Sequence, residues 1–207
     1  MPHPIFVSFE GGEGAGKTTQ VRALARRLSS EGYQVLLTRE PGGTALGEVV
    51  RRWLKTRPGL TPTAELFLFT AARAQHVAEV IAPALSSQQI VVCDRFAAST
   101  VAYQGYGRGL DLELISRLND TATSVLPNNG RPDLTVLLDV PVEAGLARKK
   151  GILGDTFESE AVDFHQRVRG GYLAQASRDP ERWFVVDGTQ KRSTLAAQIW
   201  AKVQPLL

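Results

Sequence analysis

Near its N-terminus the chain carries Gly11-Gly12-Glu13-Gly14-Ala15-Gly16-Lys17-Thr18, which satisfies the spacing G-x-x-x-x-G-K-[ST]. The apolar run at 5–9 before it reads as a buried strand. Residues 18–30 after it read as a helix, with Val21, Leu24, Ala25 and Leu28 on one face. Strand, glycine-rich turn and helix in that order leave little freedom of fold or ligand. Glycines let the backbone bend around a polyphosphate and turn its N–H groups inward, and the helix N-terminus adds partial positive charge. Residues Gly11, Gly12, Glu13, Gly14, Ala15, Gly16 and Thr19 are thus expected to cradle phosphates. Lys17 would reach the β- and γ-phosphates, and the Thr18 hydroxyl would ligate Mg²⁺. A chance lysine in a glycine turn would not come with both flanking elements, so the chain is expected to bind a nucleoside triphosphate.

Further strand-like runs at 34–38, 90–93, 134–140 and 183–186 alternate with helical patterns near 44–55, 63–82, 97–104, 111–124, 142–149, 158–177 and 193–203. Apolar strands alternating with amphipathic helices predict an α/β fold, its five strands in a central, mostly parallel sheet covered by helices on both faces. At 207 residues, with loop punctuation but no linker or repeat, residues 1–207 read as one domain. A single cysteine, Cys93, excludes an internal disulfide framework and suits a reducing cytoplasm. There is no secretory signal pattern and no apolar run of membrane-spanning length. The net charge of +3 comes without a basic stripe and interleaved aromatics, so neither nucleic acid nor membrane is an expected partner.

In such sheets ligands collect beyond the carboxyl ends of the strands. Four strand tails are chemically loaded: the loop at 11–18, Thr38-Arg39-Glu40-Pro41-Gly42-Gly43-Thr44, Asp94-Arg95-Phe96, and Asp187-Gly188-Thr189. The fourth strand, with Asp139 before Pro141, looks quiet. Asp94 suits a Mg²⁺ site beside the triphosphate, and Arg95 a bidentate phosphate contact; a surface ion pair closing a strand is the alternative. Cys93 reads as core filler. The chain lacks a guanine-specifying Asn-Lys pair, zinc-ligand spacing among His3, His76 and His165, and a Gly-x-Ser-x-Gly elbow. What remains is a small phosphotransferase.

Phe9-Glu10-Gly11-Gly12-Glu13-Gly14-Ala15-Gly16-Lys17-Thr18-Thr19, then Thr38-Arg39-Glu40-Pro41-Gly42-Gly43-Thr44, Phe69-Thr70-Ala71-Ala72-Arg73, Asp94-Arg95-Phe96, Ser99-Thr100-Val101-Ala102-Tyr103-Gln104-Gly105 and Asp187-Gly188-Thr189-Gln190 resemble the bacterial thymidylate kinase family, from about residue 4 to the C-terminus. The resemblance implies the P-loop nucleoside monophosphate kinase fold with a short mobile lid, at about 147–158 here. It also implies transfer of the γ-phosphoryl group of ATP to dTMP in dTTP biosynthesis, a Mg²⁺ requirement and a homodimer. Candidate interface helices are those at 63–82 and 97–104.

The same resemblance assigns roles to particular side chains. Phe69 would stack on thymine and Arg73 would bond a base carbonyl; the two are four residues apart and share a helix face. Taken alone, Phe69 reads better as core packing, and a pair with Glu65 or Glu79 is the alternative for Arg73. Tyr103 would pack against the sugar 2′ position, Thr100 and Gln104 would lie near the base, and Ser99 shares their segment. Glu13 would contact the acceptor 3′-hydroxyl. Arg39, Arg51 and Arg95 are candidates for the dTMP phosphate, although Arg51 could be a solvated helix charge. Gln190 is the expected contact at the adenine.

Some members of the family place an arginine inside the phosphate loop, where this chain has Gly14-Ala15. A second subclass supplies the charge from the lid, and Arg148-Lys149-Lys150-Gly151-Ile152-Leu153-Gly154-Asp155 falls at that place. Where that subclass has Asp-Arg, this chain has Asp155-Thr156, so one lid arginine is missing. Lys17, Arg95 and Arg148 are therefore the expected catalytic cations, with Lys149 and Lys150 as alternatives to Arg148. A plain basic helix end would account for the same residues.

Overall fold

The structure, a computed structural model, describes residues 4–56, 59–149, 157 and 160–207, without the side chains of Lys55 and Thr56. Strand β1 (Phe6–Glu10) leads through the phosphate loop into α1 (Lys17–Ser30), followed by β2 (Val35–Arg39) and α2 (Ala45–Thr56). Next come α3 (Pro62–His76), a π-helical stretch Val77–Ile81, α4 (Ala82–Ser86) and β3 (Ile90–Asp94). Short α5 (Ala97–Thr100) runs into a second π-helical stretch, Val101–Gly107, and then α6 (Leu112–Thr123), β4 (Leu134–Asp139) and α7 (Val142–Ala147) follow. The chain ends with α8 (Val162–Arg178), β5 (Trp183–Asp187) and α9 (Arg192–Val203). Among the described residues no helix is long and apolar enough to cross a membrane.

The five strands form one parallel sheet in the order β2-β3-β1-β4-β5. Successive side chains of β1 alternate between faces. Val7 and Phe9 pack with Val21, Leu24 and Leu28 of α1 and Leu195 and Ile199 of α9. Phe6 faces the other way, onto Val77, Ile81 and Phe96. Leu137 of β4 meets Phe164, Val168 and Tyr172 of α8 on that second face. Burial on both sides is why these strands read as continuous apolar runs. From β1 the chain crosses past β3 to the edge strand β2, then returns through β3 and passes β1 to reach β4, so the strand order switches beside β1, and the phosphate loop lies at that switch point.

Strand ends lie within one residue of those expected from sequence. The helices differ more. The stretch expected at 63–82 is α3, a π turn and α4, and the one expected at 97–104 is α5 continued by a π turn to Gly107. In the first, Pro83 lacks an N–H and its ring would crowd the carbonyl four residues back, which a widened turn relieves. In the second, a Cβ at Gly107 would meet Phe164 Cε2 at 2.7 Å, so glycine allows the turn to lie against α8. Helix α8 begins at Val162, later than the expected 158. Most of the expected lid at 147–158, Lys150 and Asp155-Thr156 included, lies outside the described residues.

Candidate active site

The loaded strand tails open into one cleft of about 1020 Å³ above the sheet. At one end lies the phosphate loop. Gly14 has φ +67°, and a Cβ there would collide with the Gly145 carbonyl, so the loop is packed directly on the backbone of α7. Gly145 in turn faces the Glu13 carbonyl. Residues Glu13, Gly14, Ala15, Gly16, Lys17, Thr18 and Thr19 line the cleft. Gly11 and Gly12, also expected there, do not line it; their carbonyls accept bonds from Lys17 Nζ at 2.9 and 2.8 Å. Burial, reinforced by the positive charge of Arg95, lowers the Lys17 pKa to about 8.

Thr18 Oγ1 donates to Asp94 Oδ2 at 2.6 Å, bringing the hydroxyl on α1 to the carboxylate ending β3. Mg²⁺ takes one or two protein oxygens and completes its shell with phosphate oxygens and water, so this hard-oxygen pair fits that ion. Arg148, just past α7, reaches back over the loop. It donates to Gly14 O at 3.3 Å and to Gly188 O at 3.2 and 3.3 Å. Lys149 and Gln190 line the cleft at the same end, joined by Lys191 and Arg192, which no motif in the sequence marks.

The middle of the cleft is organised by Arg95. Its backbone has φ 72°, sparsely populated for a side-chain-bearing residue. The turn sends the guanidinium back over β1, where Nη2 donates to Glu13 Oε1 at 2.8 Å and Tyr103 Oη at 3.1 Å. Nη1 donates to Gly11 O, Tyr172 Oη and Ser99 Oγ at 3.1, 3.1 and 3.3 Å. The Tyr103 hydroxyl also donates to Glu13 at 2.6 Å. Burial works to raise the Glu13 pKa, but Arg95, then Lys17, the Tyr103 hydroxyl and Lys149 outweigh it and hold the carboxyl at about 2. Beneath lies Glu10, fully buried, accepting from Phe96 N at 2.8 Å, Ser99 Oγ at 2.6 Å and Tyr172 Oη at 3.1 Å. Burial raises its pKa against the pull of those donors and of Arg95.

The far end collects Phe69, Arg73, Thr100, Tyr103 and Gln104. Arg73 is buried and pairs with neither Glu65 nor Glu79. Its Nε donates to Glu40 Oε2 at 2.8 Å and its Nη1 to Asn119 Oδ1 at 2.7 Å. The other Glu40 oxygen meets His76 Nδ1 at 3.1 Å, and His76 Nε2 meets Thr38 Oγ1 at 2.7 Å. Phe157 packs 6.1 Å from the Phe69 ring and 5.5 Å from that of Tyr103. The Thr100 hydroxyl is buried without a hydrogen-bond partner among the described residues. Arg39 is half-exposed and paired with Glu48 at 2.8 Å, while Arg51 bonds the Pro41 carbonyl at 3.2 Å; both line the rim.

Glu10, Glu40, Asn119, Phe157 and Tyr172 are site-building residues that carry no separate signal in the sequence. Glu10 and Glu40 lie inside the motifs at 9–19 and 38–44, where a charged residue at the end of an apolar strand is the only hint. The expected quiet tail of β4 is quiet in the cleft: Asp139 turns away to a bidentate pair with Arg169 at 2.7 and 2.8 Å. Cys93 is buried in the core, with its thiol pushed well up by burial.

The family model for thymidylate kinase matches residues 9–199. A thymidylate kinase of Synechococcus sp. is 52% identical over 203 residues, covering 98% of this chain and 97% of that protein. One from Thermomicrobium roseum is also 52% identical, over 98% and 95%. A crystal structure of the Ehrlichia chaffeensis thymidylate kinase superposes with a TM-score of 0.79 at 35% identity, over 98% of this chain and all of that one.

Proposed function

The chain belongs to the thymidylate kinase family and uses ATP to phosphorylate dTMP to dTDP, and from that premise we propose how its cleft divides the work. The observation that carries the proposal is the Arg95–Glu13–Tyr103 cluster standing between the phosphate loop and the Phe69/Arg73 pocket. In this reading the loop and Lys17 hold the triphosphate, and Arg95, with Arg39 and Arg51 at the rim, holds the dTMP phosphate. Thr18 and Asp94 hold Mg²⁺, whose charge, when bound, offsets that of the β- and γ-phosphate oxygens. Gln190 stands at the adenine end.

The second ionisation of a phosphate monoester lies near pH 6, so the attacking dTMP oxygen is already an anion at neutral pH. No general base is needed. The task is to bring two polyanions together in line, which positioning and fixed positive charge accomplish. Arg95 is suited to it because its guanidinium is held from several sides before any ligand arrives. Arg148, or Lys149 or Lys150, supplies the charge that Gly14-Ala15 do not, which is the lid-type subclass of the family. Glu13, ionised and next to Tyr103, bonds the sugar 3′-hydroxyl, and the Tyr103 ring leaves no room for a 2′-hydroxyl. Phe69 stacks on thymine; Arg73 donates to a base carbonyl, with Thr100 and Gln104 beside it. Ser99 steadies Arg95.

Residues 1–207 act as one catalytic unit in this reading, in the cytoplasm and as a homodimer. Support for the dimer comes from Leu46, Val49 and Trp53 of α2 and Phe67 of α3, large apolar side chains exposed on adjacent helices. The other candidate, the helix expected at 97–104, supports an interface less well, since Thr100, Ala102, Tyr103 and Gln104 are buried within the chain. A coupled ADP-release assay across dTMP, dUMP, dCMP, dGMP, AMP and thymidine tests the acceptor site. dTMP should be turned over fastest; thymidine phosphorylated with dTMP ignored would overturn the assignment.

A further inference from the structure

Behind the base end of the cleft lies a buried carboxylate that touches no expected ligand. Glu65 of α3 is 5% exposed, and its Oε1 accepts from Gln104 Nε2 at 2.8 Å. Arg108 brackets the same carboxylate, Nε to Oε1 and Nη2 to Oε2, both at 3.3 Å. Arg108 is itself anchored by Glu160 at 2.6 Å and by the rings of Phe164 and Phe157, 4.7 and 5.6 Å from its guanidinium carbon.

A carboxylate paired with arginine accepts hydrogen bonds and cannot donate them. The end of Gln104 that meets Glu65 must therefore be its NH₂, which leaves the amide carbonyl as the end available to the cleft that Gln104 lines. A primary amide in neutral polar surroundings can turn over, exchanging acceptor for donor. Here that exchange would set a carbonyl against a carboxylate. At the same end Arg73 can only donate, with Nε tied to Glu40 and Nη1 to Asn119. The pocket thus offers one fixed donor and one fixed acceptor. Thymine presents the complement, a carbonyl beside a ring N–H. Cytosine presents an amino group beside a bare ring nitrogen, which inverts both contacts.

We propose that Glu65 is a positioning residue that sets the hydrogen-bonding polarity of the acceptor-base site through Gln104, with Arg108 holding it in place. It makes the pocket prefer a keto pyrimidine to an amino pyrimidine without touching either. The inference rests on the reading that Arg73 and Gln104 face the base.

The test is kcat/KM for dTMP and for dCMP in the full chain and in Glu65→Gln, Glu65→Gln with Gln104→Glu, and Gln104→Leu. Glu65→Gln should lower the dTMP-to-dCMP preference about tenfold, the worth of one hydrogen bond, with KM for dTMP moving more than kcat. The double variant should restore the preference, because the amide introduced at 65 donates to one oxygen of the carboxylate introduced at 104 and the other oxygen still accepts. A general loss of packing would lower both substrates together and would not be rescued. An unchanged preference in Glu65→Gln, or a loss that the double variant does not recover, overturns the inference. Gln104→Leu separates the two levels. If it leaves KM and preference for dTMP untouched, the reading of the base site fails. If it raises KM while Glu65→Gln does nothing to the preference, only the polarity inference fails.

Discussion

The two ends of the cleft are built from different materials. The end proposed above for the phosphoryl donor is contiguous chain: a loop from Gly11 to Thr18, largely backbone, packed on Gly145 and steadied by Lys17 on its own carbonyls. The end proposed above for the acceptor is made of side chains far apart in sequence, Arg73 with Glu40 and Asn119, Arg95 with Glu13 and Tyr172, Gln104 with Glu65. Backbone N–H groups recognise phosphate whatever the nucleoside attached to it. Buried side chains with fixed donors and acceptors recognise one base and reject its analogues, because a mismatched partner leaves a desolvated group unpaired. On the proposed assignment, generality at one end and selectivity at the other follow from that difference in construction.

The largest expected effect would break the donor end alone. Arg148→Ala should lower kcat by a factor approaching the roughly 10³–10⁵ of arginine fingers while leaving dTMP affinity nearly unchanged, as measured by steady-state kinetics against binding. A near-wild-type kcat would rule out Arg148 and shift the role to Lys149 or Lys150. Next, Glu40→Gln should act on the acceptor end alone. It removes the charge that holds Arg73 and should raise KM for dTMP by about tenfold to a hundredfold, with KM for ATP little changed.

A smaller effect distinguishes the ends by pH. Lys17, lowered to about 8 by burial and Arg95, loses its proton as pH rises through that value, so kcat/KM for ATP should fall above pH 8. Stability should move the opposite way. The unfolded chain holds this proton up to about 10.5, so between about 8 and 10.5 the unfolded state binds more protons and the ligand-free protein gains stability as pH rises. Thermal unfolding across that range checks the sign. The smallest effect on catalysis is expected from Trp53→Glu, which should shift the protein to monomer in light scattering at nearly unchanged kcat.

The same contrast explains what was legible in the sequence. The donor loop is a local motif flanked by the strand and helix that its chemistry requires, so residues 5–30 could be read almost as they stand. All five strands followed from their apolar runs, which are buried in β1, β3 and β4 and only partly buried at the sheet edges β2 and β5; the mostly parallel sheet expected from them is parallel throughout. The π turns did not, because one extra residue per turn barely disturbs an apolar pattern, and only Pro83 marked the first of them. The acceptor pocket was reachable only through resemblance. Nothing local shows that Arg73 takes Glu40 and Asn119 in place of the nearer Glu65, or that Glu65 is already engaged by Gln104 and Arg108. Long-range pairing of buried charges is set by the fold, not by spacing along the chain.

The most direct test of the division between the two ends is the pair of Michaelis constants of Arg73→Met, measured for dTMP at saturating ATP and for ATP at saturating dTMP. The account predicts that KM for dTMP rises about a hundredfold, as expected when a charged hydrogen bond is lost, while KM for ATP stays within about twofold. Both constants rising together would contradict it.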